Sequence, residues 1–340
     1  METIESVRDR TAPSVIRVRG LSRTFHAKTG PVQAVTGIDF DVCDGEILGL
    51  LGPNGAGKTT TLRMLSTLIR PTSGEATIAG ADLRAEQRTV RSRIGYVAQG
   101  GTTNDGELVI DELVLQARLF GLSKAAATHN AEELMAALEL DGLGGRKCAQ
   151  LSGGQRRRVD IALGLVHRPR LIYLDEPTSG LDPQSRANLW GHIRRLREQG
   201  TTVVLTTHYL EEADALCDRV LVMDHGGIVA EGTPDELKRR ISGDVVSLEI
   251  DDDHTDLALE IARAVLDVRS LVRTDGVGSD RAGVTLLHLT VERGDAAVVP
   301  LLHALDARGI TPGALTVKRP SLDDVFLTIT GRSLREGNRS

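Results

Sequence analysis

Aromatic side chains are scarce. The 340 residues contain four Phe, three Tyr and one Trp, too few for a platform on which successive bases stack. A surplus of positive charge is also missing. With 41 basic and 47 acidic residues the net charge is -6, which argues against a general nucleic-acid binder and leaves open only a local basic patch. Long apolar runs are absent. Ile47–Gly52 and Ile161–Val166 are six residues each, whereas a spanning helix needs about 20, so the chain is expected to cross no bilayer by itself. The first ten residues, METIESVRDR, are charged and lack the apolar centre of a signal peptide. Cysteine is rare: Cys43, Cys148 and Cys217 lie far apart and form no CxxC. Free, reduced thiols in a cytosolic protein are the expected reading.

What is present is a chain with 40% apolar residues, enough for about two domains with a sizeable core. Residues 1–13 are polar, end in Pro13 and read as a flexible tail. VIRVRG and TGIDFDV, between Val15 and Val42, read as short strands, and Asp44-Gly45 marks a turn. The run from Glu46 to Leu51 reads as a buried strand that stops at a Gly-rich segment. From Lys58 to Ile69 the pattern becomes helical, with Leu62, Leu65, Leu68 and Ile69 on one face and Pro71 ending it. Helical periodicity returns over 111–140, most clearly over 130–140, and again over 154–167. LIYLDE (171–176) and TVVLTTH (202–208) are apolar runs with polar ends, the pattern of parallel strands buried on both faces. Strand and helix alternate, so an α/β domain with its sites at strand C-termini is expected over 14–242. Composition shifts at Ser242-Gly243-Asp244. The order read beyond it, β-α-β-β-α-β over 244–331, is that of a ferredoxin-like α+β unit. Residues 332–340 read as a second tail. The acidic cluster Asp251–Asp253 reads as a solvated turn.

The strongest chemical signal is Gly52-Pro53-Asn54-Gly55-Ala56-Gly57-Lys58-Thr59. It fits G-x-x-x-x-G-K-[ST] and lies between a strand and a helix, the context that such a loop requires. Glycines let backbone N–H groups turn toward an anion. The following helix, which carries Thr60, adds the positive end of its dipole. Lys58 would sit on the β- and γ-phosphates of a bound nucleotide, and Thr59 would offer a hydroxyl to Mg²⁺. LIYLDE carries Asp175 and Glu176 to a strand end. There Asp175 would hold Mg²⁺ through water, and Glu176 would orient or deprotonate the attacking water. A Gly-rich turn and a solvated carboxylate pair are the plain alternatives for each motif by itself.

A third motif is Leu151-Ser152-Gly153-Gly154-Gln155. A Ser and two Gly ahead of a helix make a second anion-binding N-terminus, or simply an N-cap. With this motif the chain closely resembles the ATP-binding cassette (ABC) family, whose signature is LSGGQ. The resemblance is tight over 15–240 and continues to about 331. It implies a P-loop ABC nucleotide-binding domain with a helical subdomain at about 100–165, followed by the small C-terminal domain. It also implies ATP and Mg²⁺ as ligands, and a head-to-tail homodimer in which each ATP lies between the phosphate loop of one copy and the signature of the other. By the same resemblance Gln99, in YVAQ, matches the glutamine that contacts Mg²⁺ and water and faces the transport partner. Ser179-Gly180-Leu181-Asp182 matches the loop that crosses the dimer interface. His208, in LTTH and 33 residues after Asp175, matches the histidine that contacts the γ-phosphate. Phe25, in LSRTFHAK, matches the aromatic that stacks on adenine, where Tyr is commoner. LVIDELVLQARLFGL (108–122) is similar to the part that docks on a membrane subunit. Arg156–Arg158 spread around their helix and read as a solvated face.

Within the family the chain resembles the ATP-binding subunits of daunorubicin-resistance-type drug exporters. PNGAGKTTTLRMLSTLIRPTSG, LDEPTSGLDP, LTTHYLEEADALCDRV and PSLDDVFLTITGR carry that resemblance. It implies an ATPase at the cytoplasmic face of the membrane. That ATPase would drive efflux of a drug-like or lipid-like amphipathic compound through a separate transmembrane permease subunit, with no nucleic acid involved. The alternative is a soluble cassette of translation or DNA repair. Against it stand a single phosphate loop and signature in the chain, no long heptad run and the net charge of -6. A non-catalytic regulatory subunit is a further alternative. The intact Lys58, Ser152, Glu176 and His208 speak against it.

Overall fold

The computed structural model describes residues 14–28, 30–241, 243–275, 284–318, 321–322 and 325–326. Both terminal tails expected from the sequence lie outside these residues. The chain divides into two compact units between Glu231 and Gly232.

The first unit opens with a long antiparallel hairpin, β1 (Ser14–Ala27) and β2 (Gly30–Cys43). The short strands read from the sequence are the buried halves of these two. β3 (Ile47–Leu51) follows and leads through the Gly-rich loop into α1 (Lys58–Leu65). The helix expected to reach Ile69 stops four residues earlier, because Thr67 takes a left-handed φ of 65°, which no helix continues through. β4 (Ser73–Ile78) pairs with the free edge of β1, and β5 (Ala81–Asp82) extends that sheet. The face this sheet turns inward, with Ile16, Val18, Leu21, Phe40 and Ile78, packs in one core with Leu62 and Met64 of α1 and with Leu48 and Leu50 of β3.

α2 (Gln87–Arg93) and β6 (Ile94–Val97) come next, then α3 (Val109–Leu119), α4 (Lys124–Ala137), α5 (Gly153–Leu165) and β7 (Leu171–Asp175). The helical stretch read over 111–140 is thus two helices. Gly121, at φ 90°, separates them, and Ser123 caps the second by accepting from the Ala126 N–H. α6 (Pro183–Glu198), β8 (Thr202–Thr207), α7 (Leu210–Leu216), β9 (Arg219–Asp224) and β10 (Gly227–Gly232) complete the series. The central sheet has the order β10-β9-β3-β8-β7-β6. Its pairs β3–β9, β3–β8, β7–β8 and β6–β7 are parallel. Every residue of β3, β7, β8 and β9 is buried, as the apolar runs lead one to expect for strands covered on both faces. Parallel pairing puts the C-terminal ends of β3, β6, β7 and β8 on one edge. The segments that follow them carry Lys58, Gln99, Glu176 and His208.

The second unit contains α8 (Pro234–Ile241), whose first turn is closed by Thr233 and Glu236. The Glu236 N–H donates to Thr233 Oγ1 at 3.1 Å, and the Thr233 N–H to Glu236 Oε2 at 2.8 Å, a reciprocal cap. Then come β11 (Asp244–Asp251), α9 (Thr255–Val265), β12 (Val268–Asp275), β13 (Val284–Val291), α10 (Gly294–Asp306) and β14 (Leu315–Lys318). The sheet order β12-β13-β11-β14 is antiparallel throughout and is that of a ferredoxin-like unit. Ala258, Ile261 and Ala262 of α9 and Ala297, Leu301 and Leu305 of α10 pack on Val246, Leu248, Ile250, Leu287 and Leu289 of the sheet. The acidic cluster forms a turn ahead of α9 in which Asp252 accepts from the Thr285 hydroxyl at 2.6 Å.

Candidate functional site: a phosphate loop and its carboxylates

The loop after β3 depends on glycine at two points. A Cβ on Gly52 would lie 2.3 Å from the Met223 carbonyl oxygen. Gly57 caps α1 at φ 98°, and a Cβ there would lie 2.5 Å from the Ala34 carbonyl oxygen. Asn54 and Gly55 are exposed, Pro53 is half-buried and Ala56 is buried. Lys58 curls back over the loop and donates to the carbonyls of Gly52 (2.7 Å) and Pro53 (2.9 Å). Burial lowers its pKa, opposed by the charges of Glu176 and Asp175. Thr59 and Thr60 start the helix, both half-buried.

Asp175 is fully buried at the end of β7. Its Oδ1 accepts from Thr59 Oγ1 at 2.9 Å and from Thr206 Oγ1 at 2.7 Å, and Tyr96 OH donates to its Oδ2 at 3.5 Å. The next residue, Glu176, takes a left-handed φ of 43°, a conformation that costs a non-glycine residue on the order of 1–3 kcal/mol. Its N–H donates to Thr206 Oγ1 at 2.9 Å. Gln99 Nε2 donates to Glu176 Oε2 at 2.8 Å, and His208 Nδ1 stands 3.4 Å from Oε1. Three residues from three different strand ends therefore meet at one carboxylate. His208 holds that carboxyl below the usual carboxylate range, against burial, and Lys58 adds to the effect.

The signature lies at the start of α5. Ser152 accepts from the Gln155 N–H at 3.3 Å, and the Ser152 N–H donates to Gln155 Oε1 at 3.0 Å. This is a complete capping box, and it leaves Ser152 and Gly153 exposed. A Cβ on Gly154 would lie 2.9 Å from Ser185 Oγ, so the signature packs closely on the start of α6. Asp182 caps that helix, accepting from the Ser185 N–H at 2.9 Å and from its hydroxyl at 2.6 Å. Phe25 is 37% exposed on β1, with the Arg23 guanidinium 4.5 Å from its ring centroid.

The reading of Arg156–Arg158 as a solvated face is overturned. Arg156 donates to Thr103 Oγ1 at 2.8 Å and pairs with Asp105 at 2.6 Å. Arg158 donates to the Leu138 carbonyl at 3.0 Å. Arg157 is 7% exposed and bonds the backbone around Glu176. Its helical spacing to Asp160 and Ile161, both buried, is the signal that points inward. Thr206 is a further site residue that the motifs do not name. A polar pair closing an apolar strand, Thr206-Thr207, marks it.

Known proteins bear on this site directly. Residues 35–179 match the ABC transporter family, and residues 232–330 match the C-terminal domain of DrrA1-3-like ATP-binding proteins. The daunorubicin resistance ATP-binding protein DrrA2 of Streptomyces coeruleorubidus is 40% identical over 91% of this chain and 94% of its own. This chain belongs to the ABC transporter ATP-binding proteins. A second relative in that family, the doxorubicin resistance ATP-binding protein DrrA of Mycobacterium tuberculosis (strain CDC 1551 / Oshkosh), is 42% identical over 92% of each chain. Among solved structures, a dimeric ATP-binding cassette in a post-hydrolysis state, bound to ADP and Pi, is 26% identical. It aligns with a TM-score of 0.60 over 64% of this chain and 98% of that one. The fold is that of a P-loop ABC cassette with an added α+β domain, and the ABC chain is an ATP hydrolase. Among the described residues no helix is long and apolar enough to cross a membrane.

Proposed function

We propose that this ATPase energises efflux of a drug-like or lipid-like amphipathic compound through a separate transmembrane permease. It would work as a head-to-tail homodimer at the cytoplasmic face of the membrane. The relatives' association with daunorubicin and doxorubicin resistance supports the cargo class. The dimeric cassette among the solved structures supports the pairing, as does the exposure of Ser152 and Gly153 on a chain that carries its own phosphate loop. No observation favours the soluble cassette of translation or repair.

The observation that carries the mechanism is the meeting of Gln99 and His208 at Glu176. The N–H groups from Gly55 to Thr60 and the N-terminus of α1 receive the phosphates. Lys58 exchanges two loop carbonyls for phosphate oxygens. Phe25 stacks on adenine from its exposed face. Ser152, Gly153, Gly154 and Gln155 of the second copy close over the γ-phosphate, and Asp182 lies at the interface. Glu176, kept ionised, takes a proton from the attacking water as its oxygen bonds to the γ-phosphorus and the bond to the bridging oxygen of ADP breaks. Gln99 positions that water, and His208 steadies both Glu176 and the γ-phosphate.

The residues fit Mg²⁺. Thr59, Asp175 and Gln99 offer hard oxygen donors, and the buried Asp175 carboxylate is bonded to hydroxyls, a negative site suited to a cation. When bound, Mg²⁺ neutralises charge on the phosphate oxygens.

Glu176→Gln tests the reading. Nucleotide affinity stays within a few-fold and turnover falls by about 10²–10⁴, the usual worth of a positioned general base. With ATP the variant elutes as a dimer in size-exclusion chromatography. Undiminished hydrolysis removes the general base, and a monomer at saturating ATP removes the pairing.

A further inference from the structure

Arg157 lies on α5, five residues after Ser152. Its Nε donates to the Pro177 carbonyl at 2.8 Å, Nη1 to Ala98 at 2.7 Å, and Nη2 to Asp175 at 2.9 Å and Glu176 at 3.4 Å. All four acceptors are backbone. Ala98 precedes Gln99, and the other three form the strand end that bears Glu176. One guanidinium thus fixes both the left-handed backbone of Glu176 and the approach of Gln99 to it. A turn further along α5, Asp160 accepts from the N–H groups of Thr102 (2.8 Å) and Thr103 (3.2 Å). The segment that follows Gln99 is therefore held to α5 as well. Asp160 Oδ2 lies 4.0 Å from Arg157 Nη1 and offsets part of the cost of burying that charge. The helix that begins with the signature is in this way bonded, through one rigid fork, to both partners of the attacking water.

We propose that Arg157 is a positioning residue that transmits engagement of the signature helix to Glu176 and Gln99 of the same chain. The inference rests on the head-to-tail reading. In such a pair the ATP touching Ser152 belongs to the opposite site, so Arg157 links one ATP site to the catalytic carboxylate of the other. The planar guanidinium suits the task because it reaches carbonyls of two segments at once, which an ammonium on a single stem does not.

The test uses the full chain with Arg157→Gln and Arg157→Lys, each combined with Ser152→Ala. Thermal melting, affinity for a fluorescent ATP analogue and steady-state ATPase kinetics are measured. Arg157→Gln lowers kcat by about 10–100-fold, as loss of alignment does, while nucleotide affinity changes less than about 3-fold. Arg157→Lys recovers only part of the loss. Ser152→Ala lowers kcat in the parent chain but has little further effect in the Arg157→Gln background, because signal source and relay act as one unit. An unchanged kcat in folded Arg157→Gln overturns the role. So does a kcat loss matched by an equal affinity loss, or full additivity with Ser152→Ala. If Ser152→Ala is silent in the parent chain, the head-to-tail reading fails instead, and the positioning of Glu176 is judged on the split between kcat and affinity. Should Arg157→Gln not fold, Arg157→Lys serves for the same cycle.

Discussion

Glu176 and Glu212 are both buried acids near the nucleotide edge, and their surroundings push them in opposite directions. Glu176 has His208 and Lys58 beside it and stays ionised below the usual carboxylate range. Its charge is lost only when pH falls through that lowered value. Glu212, fully buried on α7, is pushed up by desolvation, partly offset by the hydroxyls of Thr207 and Thr178 and by the Trp190 N–H, which donates to it at 3.1 Å. An acid with a raised folded pKa binds its proton more tightly in the native state. Stability is therefore lost as pH rises from the ordinary glutamate range through the raised value. Glu212→Gln removes that loss. The melting temperature of the variant relative to the parent should climb as pH rises above the ordinary glutamate range, and a gap independent of pH would contradict the assignment.

At the scale of elements, the position of α5 decides the site, because it bears both Ser152 and Arg157. Two glycines allow its close approach to β6. A Cβ on Gly95 would lie 2.2 Å from the Gly164 carbonyl oxygen, and a Cβ on Gly164 would lie 3.0 Å from Val97 Cγ2. Gly95→Ala must push helix and strand apart. Such overpacking costs about 1–3 kcal/mol, so the melting temperature falls by several degrees at about 2–4 °C per kcal/mol. Turnover should drop more than nucleotide affinity, since the phosphate loop on β3 and α1 is untouched. Unaltered melting would show that the helix yields freely.

At the scale of the molecule, the two compact units set what can be separated. The structural division falls between Glu231 and Gly232, and the match to the DrrA-type C-terminal domain starts at residue 232. The composition shift at Ser242-Gly243-Asp244 lies about ten residues later, after α8, a charged amphipathic helix that local composition does not assign to either side. Residues 1–231 should bind ATP with the affinity of the full chain, and residues 232–340 should melt cooperatively as a separate fragment. Loss of binding in a folded 1–231 fragment would contradict a boundary at this position.

The local motifs are legible in the sequence alone. A phosphate loop needs its residues in sequence, because one turn and one helix start make it. Apolar runs with polar ends likewise report strands buried on both faces and ending in a site. Phe25, which the family resemblance rather than composition puts forward, lies exposed on β1 with the Arg23 guanidinium over one side of its ring. What the tertiary structure alone decides is how the segments meet. Parallel pairing brings Gln99, Glu176 and His208 from separate strands to one carboxylate. The close packing of α5 turns Arg157 from an expected surface charge into a buried fork on four carbonyls. A side chain's type and spacing are local properties of a chain. Burial and hydrogen-bond partners depend on residues far away in sequence, and they exist only once the sheet and its helices have packed.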